Sequence, residues 1–398
     1  MTDEQRAREH RQVGLIVNPV AGLGGRVGLK GSDGEEIQRR ARDLGAQPRA
    51  LDRAIEALLR LQPIADDIDI VTCPGAMGEE ATARAGLDAL ILDSLDTDGG
   101  PATTAEDTKA AACEMQRRRV DLILFAGGDG TARDVYDAVG EEQVVLGIPA
   151  GVKIHSAAFA VCPAVAGIVA ASFLTGSRPR TRSAEVLDAD EEFLRRGIAG
   201  TVLRGVLRVP GDRQRLQGAK TLGGDDDARS AQAIAQRVAN ELEDDEITIV
   251  GPGTTTRALF EELGLEKTLL GVDVLHGRSL LASDVGEDQL LDLLAQDPPV
   301  RILVTPIGGQ GYLFGRGNQQ ISPEVLRRVG PDGIRVIATP EKLNRLIARP
   351  LLVDTGDEIV DRSIAGHIRV VCGPDDIRVV RVAAASTLIE NIEGDIES

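Results

Sequence analysis

The sequence predicts an α/β protein: an N-terminal domain on a parallel, helix-covered sheet, then a β-rich mixed second domain. Three observations lead there. Short apolar runs alternate with helical periods through the first half, as in strands joined by crossover helices. One run, residues 120–125, empties into Ala126-Gly127-Gly128 and a new helical period, so a strand hands the chain to a helix through a glycine turn. Near Gly176-Ser177-Arg178-Pro179 the helical spacing gives way to short, alternating, Arg-bearing runs that read as antiparallel strands. The boundary is therefore set at 178, giving domains of 1–178 and 179–398.

In order, 13–17 is an apolar strand ended by Asn18-Pro19. Residues 35–61 carry a helical period broken near Gln47-Pro48. Strands follow at 68–72 and 89–92, then a helix over 104–118 opened by Thr104 and rich in Ala. After the strand 120–125 come a helix over 131–139 and a strand at 144–148. Residues 154–174 contain no Asp, Glu, Lys or Arg. Their Ala richness, with His155, Ser156 and Gly167, fits a loop and a buried helix after Pro163 better than a membrane span. In the second domain, antiparallel strands fall within 185–210 and an amphipathic helix at 230–240. A strand at 246–250 leads through Gly251-Pro252-Gly253-Thr254-Thr255-Thr256 into a helix reaching 263. Further strands are expected at 302–305, 335–338, 368–371 and 377–382, and an acidic tail from 390.

Composition narrows the function. Hydrophobic residues are 42% and aromatics 2%, with no Trp, so the cores must be aliphatic and a nucleic-acid surface of stacked aromatics is disfavoured. A net charge of −18 repels nucleic acid and anionic membranes. Only six of the 45 basic residues are Lys, and with the acidity this points to a salt-rich cytoplasm. The N-terminus has no signal core. Cys73, Cys113, Cys162 and Cys372 lack metal spacing and are expected to be buried free thiols in a reducing compartment.

The chemistry concentrates at Gly127-Gly128-Asp129-Gly130-Thr131. Glycines let the backbone approach a phosphate, and the helix that follows aims its free N–H groups at an anion. Asp129 is repulsive to phosphate unless it binds a metal or accepts a proton, and a general base on an acceptor hydroxyl is the economical reading. The bland alternative is an Asp capping a tight turn. Gly22, Gly24, Gly25, Lys30 and Asp33 form a glycine-dense loop suited to triphosphate, with Lys30 neutralising charge and Asp33 near metal or ribose; a surface loop is the alternative. Lys153 is placed to meet phosphate, while His155 reads equally as a satisfied residue at the start of a helix. Gly309, Gln310, Arg316, Asn318 and Gln319 lie in a glycine-rich stretch suited to phosphate or adenine, or to a subunit contact. Asp354-Thr355-Gly356-Asp357 reads as a turn.

These motifs resemble a family. Gly-Gly-Asp-Gly-Thr after an apolar strand is shared by NAD kinases and by diacylglycerol and sphingosine kinases. Asn18-Pro19-Val20-Ala21-Gly22 resembles the opening loop of the same branches. Leu146-Gly147-Ile148-Pro149-Ala150-Gly151-Val152-Lys153 and Thr305-Pro306-Ile307-Gly308-Gly309-Gln310-Gly311 are similar to the long ATP–NAD kinase branch, which includes the acetoin-catabolism relatives. The resemblance implies an NAD kinase-like fold and a phosphotransferase using ATP (or polyphosphate) and Mg²⁺. Asp129 would take the proton of the adenosine ribose 2′-hydroxyl of NAD to make NADP. It also implies a cytoplasmic homo-oligomer with small-molecule partners, engaging neither nucleic acid nor membrane. Ser183-Ala184-Glu185-Val186-Leu187-Asp188 stands where the family carries an Asn-Glu pair for the dinucleotide. The rivals are a kinase of the same superfamily acting on a lipid, sugar phosphate or nucleoside compound, and a non-catalytic nucleotide sensor.

Overall fold

The computed structural model describes residues 10–28, 35–92, 103–151, 154–176, 179–189, 201–212, 216, 225–268, 270–307, 310–346 and 349–388. The first sheet holds β1 (Arg11–Val17), β2 (Ile68–Thr72), β3 (Ala89–Ile91), β4 (Leu122–Gly127) and β5 (Val145–Pro149), all parallel, in the order β3-β2-β1-β4-β5. Every residue of β4 and β5 is buried, as a strand covered by helices on both faces must be. The covering helices are α1 (Glu35–Asp43), α2 (Ala50–Leu58), α3 (Glu79–Arg84), α4 (Ala105–Arg117), α5 (Asp129–Val139) and α6 (Pro163–Thr175). Thr104 and Asp107 close a capping box on α4, so this helix starts where its sequence signal places it.

The strand order matters for function. The chain builds outward from β1 through β2 to β3, then returns to the other side of β1 for β4 and β5. Loops leaving β1 and β4 consequently part in opposite directions, opening a crevice at the carboxyl ends of those strands.

The predicted buried helix after Pro163 is α6, with Pro163 at its first turn. Among the described residues no helix is long and apolar enough to cross a membrane. It lies so close to α2 that a Cβ on Gly167 would stand 2.1 Å from the Ala57 carbonyl oxygen.

The hairpin β6 (Thr181–Ala189) and β7 (Thr201–Pro210) is antiparallel as expected. Its inward residues Ala184, Val186, Leu207 and Val209 join the first core, although they follow residue 178. A nine-stranded mixed sheet forms the rest. It comprises β8 (Ile247–Val250), β9 (Asp273–His276), β10 (Ser279–Ala282), β11 (Val300–Val304), β12 (Tyr312–Phe314), β13 (Ile334–Ile337), β14 (Leu351–Val353), β15 (Gly366–Val371) and β16 (Ile377–Ala384), in the order β10-β9-β8-β11-β13-β15-β16-β14-β12. The strands β8, β11, β13 and β15 run parallel; the antiparallel β15–β16 pair reverses direction before β14 and β12. Apolar clusters pack around this sheet, one of them beneath α7 (Asp225–Asn240) and α8 (Thr254–Glu262). Tyr312, Leu352 and Ala383 reach into the first core, so the two domains share apolar surface.

The thiol expectation needs one correction. Cys73, Cys162 and Cys372 are buried, but Cys113 is exposed on the outer face of α4. Burial pushes the Cys73 thiol up to about 12, which keeps it protonated and inert.

The close α2–α6 approach is testable. A Gly→Ala change inside an exposed helix normally stabilises by about 1 kcal/mol. Gly167→Ala is expected instead to lower the thermal midpoint, because the new methyl group must displace the α2 backbone. A midpoint equal to or above wild type would show that the two helices do not pack this tightly.

Candidate active site

Three loops meet at the crevice. Residues 18–28 leave β1, residues 127–131 link β4 to α5, and residues 149–151 leave β5. Asn18 ties the first to the second: its backbone N–H reaches Ala126 O at 3.0 Å, and its Nδ2 donates to Thr131 Oγ1 at 3.0 Å. Its Oδ1 accepts from Val20 N at 3.2 Å, turning the chain into the glycine segment. The third loop is held by Ala150 N and Gly151 N, both donating to Gly127 O at 2.9 Å. The packing leaves no room for side chains. A Cβ on Gly151 would stand 2.6 Å from Gly128 Cα, and one on Gly22, whose φ is +80°, would stand 2.3 Å from Ala150 O. Gly22, assigned to phosphate from the sequence, is thus also one of the glycines that let these loops touch.

Asp129 opens α5 and is buried. Its Oδ2 accepts from the His155 backbone N–H at 2.7 Å and contacts His155 Nδ1 at 2.9 Å. Its Oδ1 accepts from Ser156 N at 2.9 Å and from Ser156 Oγ at 2.6 Å. Ser156 Oγ in turn accepts from Leu187 N of β6 at 3.0 Å. The carboxylate therefore fastens the chain after β5, and through it the hairpin, to the glycine loop.

A cleft lies beside these loops, lined by residues of both domains. The first domain contributes Gly22, Gly25, Arg26, Arg49 and Arg53; the second contributes Arg316, Gln319 and Thr355. A buried ion triad forms its back. Arg53 Nη1 donates to Asp354 Oδ1 at 2.9 Å, and Arg316 Nη2 to Asp354 Oδ2 at 2.8 Å. Burial draws the Arg53 pKa down, but Asp354 and Glu56 more than offset it, so the guanidinium stays charged. Arg49 is different: burial, with Arg53 and Arg26 nearby, lowers its pKa, and among the described residues no carboxylate pairs with it. A half-buried cation held among like charges is a place for an anion.

Of the predicted residues, Asn18, Gly22, Gly24, Gly25, Gly127, Gly128, Asp129, Gly130 and Thr131 belong to the loops at the crevice. Lys30, Asp33, Lys153 and Gly309 lie outside the described residues. Arg316 lines the cleft, but its guanidinium already serves Asp354 and Val161 O. Asn318 is buried and donates to Leu313 O at 2.7 Å, while Gln319 packs against Gly25. Gln310 joins the domains, with Nε2 donating to Ile154 O at 2.7 Å. The Gly251–Thr256 loop stands apart at the end of β8, where Lys342 Nζ bridges Thr255 and Thr305. Sequence reasoning missed Arg49, Arg53 and Asp354. No local pattern could mark them, since Arg53 and its partner are 301 residues apart. Asp354-Thr355-Gly356-Asp357 is a turn, as read, with Gly356 at φ +84°, yet it also supplies the central anion of the triad.

Among the described residues no three His, Cys, Asp or Glu side chains gather as a metal cage. A family model for the ATP-NAD kinase N-terminal domain matches residues 13–177, and one for the ATP-NAD kinase C-terminal domain matches residues 243–382. A search of curated proteins gave no match. The two models cover most of the chain, which belongs to the ATP-NAD kinase family and is a phosphotransferase of that type.

Two outcomes test the electrostatics. Asp354→Ala leaves two buried guanidiniums without their anion and is expected to cost roughly 3–5 kcal/mol in a denaturant titration; a loss under 1 kcal/mol would contradict the buried triad. Asp361 supports the same turn, its Oδ1 accepting from Thr355 N and Oγ1 at 3.1 and 2.5 Å. Burial raises its pKa from 3.8 to about 6, with the Thr355 hydrogen bonds opposing and Asp354 adding. The folded state then binds this proton more tightly than the unfolded chain. Stability from it is full below about pH 4 and declines by roughly 3 kcal/mol as pH rises to about 6. Asp361→Asn is expected to remove that slope from the urea midpoint plotted against pH; an unchanged slope would assign it to other groups.

Proposed function

We propose that this member of the ATP-NAD kinase family transfers the γ-phosphoryl group of ATP to the 2′-hydroxyl of the adenosine ribose of NAD, yielding NADP. The observation that supports it most directly is an Arg-lined cleft whose wall includes Ala150 and Gly151, the residues hydrogen-bonded to the glycine turn that carries Asp129. Phosphoryl transfer needs little covalent help from the protein. It needs the donor fixed, its charge neutralised and a proton removed from the acceptor.

The residues divide along those lines. Glycine-loop N–H groups and the start of α5 suit the phosphates, Arg49 supplies a cation, and Asp129 takes up the hydroxyl proton. Mg²⁺ would arrive on the triphosphate, since such sites commonly hold it by one or two carboxylates plus substrate oxygens. The positive cleft also answers the net charge of −18: an anionic substrate is repelled by the surface at large and drawn only to this point.

A second reading keeps the chemistry and changes the acceptor. In the β6 segment where relatives carry an Asn-Glu pair, Asp188 is spent on Arg133 at 3.0 Å and Glu185 is exposed. Another hydroxyl compound then occupies the acceptor side.

NADP formation from NAD, ATP and Mg²⁺ at low and high KCl separates these readings. Wild-type turnover is expected, with kcat reduced about 10²–10⁴-fold by Asp129→Asn. Arg49→Ala is expected to raise the KM for ATP about tenfold, the loss of one charge-assisted contact. A folded protein that binds ATP yet makes no NADP at any salt would refute NAD as acceptor.

A further inference from the structure

We infer that Arg316, reaching the cleft from the second domain, binds the same phosphate chain of the nucleotide donor as Arg49 of the first, so that the donor bridges the two domains. This deepens the phosphotransfer reading above and rests on it for the identity of the donor.

The protein uses Arg316 only in part. A guanidinium carries five N–H donors. Two are spent by Nη2, on Asp354 Oδ2 at 2.8 Å and on Val161 O at 3.2 Å. Nε is buried and donates to nothing among the described residues. Nη1 has no hydrogen-bond partner among the described residues and is not among the buried side-chain atoms left without one, so it meets the open cleft that Arg316 lines. Five donors less two leaves three without an acceptor, on a residue only 4% exposed. Burying a donor without an acceptor costs its desolvation, and a ligand oxygen in the cleft removes that cost.

The fork is held in place without those three donors. Its guanidinium lies over the Tyr312 ring, 5.1 Å from the centroid, and the Tyr312 hydroxyl donates to the same Val161 carbonyl. Gly315, at φ +87°, brings the preceding backbone against the Asp354 carbonyl oxygen, where a Cβ would collide. Ion pair, ring and close backbone fix the side chain, so its open edge is preorganised for an anion.

Arg49 arrives at the same place from the first domain. A Cβ on Gly356 would collide with Arg49 Nη2, so that guanidinium rests on the turn that carries Asp354. Burial first, then Arg53 and Arg26, lower its pKa, as for a cation crowded by cations. Among the described residues Asp354 is bonded to Arg53 and Arg316, and no carboxylate pairs with Arg49. Four arginines line the cleft, and its lining includes no Asp, Glu or aromatic residue. The cleft therefore reads the anionic part of a nucleotide and offers the base no ring to stack on. One orthophosphate satisfies one fork, whereas a chain of phosphates has oxygens for both.

The experiment has a binding arm and a kinetic arm, run on wild type, Arg316→Lys and Arg316→Gln, with circular dichroism as the check on folding. Lysine keeps a charge for Asp354 and glutamine keeps an amide donor, while both lose the open edge of the fork. In the binding arm, inorganic tripolyphosphate is expected to raise the wild-type thermal midpoint by at least about 2 °C, and adenosine to leave it unmoved. Both variants are expected to lose most of that rise. In the kinetic arm, Arg316→Gln is expected to raise the KM for ATP about tenfold, with kcat and the KM for NAD within about threefold of wild type. An arginine that only joined the domains would lower the unliganded midpoint and leave the tripolyphosphate shift intact. That result overturns the inference, as does a KM for ATP within about twofold of wild type in folded Arg316→Gln. A wild type that tripolyphosphate does not stabilise overturns it whatever the variants do. A wild type that makes no NADP, yet is stabilised by tripolyphosphate through Arg316, refutes the acceptor and upholds the bridge; NADP formation with an unchanged KM for ATP in Arg316→Gln refutes this inference alone.

Discussion

The structure depends on one buried carboxylate shared by two guanidiniums. Asp354 leaves β14 and accepts from Arg53 on α2 and Arg316 after β12, so it is bonded to both domains at once. Desolvating three charges is costly, and the arrangement is stable only with all three present. It therefore sets a distance. The first domain cannot shift against the second without stranding an ion in a dry interface, and the cleft between Arg49, Gly22 and Arg316 inherits that fixed spacing. The shared apolar contacts of Tyr312 and Leu352 add area, but the triad adds register.

From that register follows the distribution of charge. The net charge is −18, and two buried carboxylates are engaged by the protein: Asp354 by two arginines, Asp129 by the backbone N–H groups of His155 and Ser156. Among the described residues that line the cleft, Arg49 carries no paired carboxylate. The arginines of the cleft therefore concentrate positive charge locally in a molecule that is negative as a whole.

The first domain was largely legible in the sequence because its signals are local. A short run rich in β-branched residues and bounded by a turn signal reads as a strand, and β2 falls on the predicted residues 68–72. The helix after the glycine turn starts at Asp129, two residues earlier than its apolar period implied, because the first turn of a helix need not contribute to the buried face. Gly127 to Thr131 stood out because glycines and a lone acid beside a strand are hard to explain by packing. The second domain was less legible. The strands β9, β10, β12 and β14 have three or four residues each, too short to display a period. Arg49, Arg53 and Asp354 were invisible for another reason: their meaning lies in partners hundreds of residues away, and an isolated Arg reads as a solvated side chain.

The hydrogen bond from Gln310 to the Ile154 carbonyl has a bearing on biosynthesis. The two residues are 156 positions apart, with the hairpin and the start of the nine-stranded sheet between them. A growing chain on the ribosome completes the glycine loop, Asp129 and His155 long before Gln310, Arg316 and Asp354 emerge. The half-made protein thus holds every group of its phosphate loop while the segment carrying His155 lacks its far anchor and the cleft lacks one wall. Assembly of the cleft is therefore deferred until most of the chain exists.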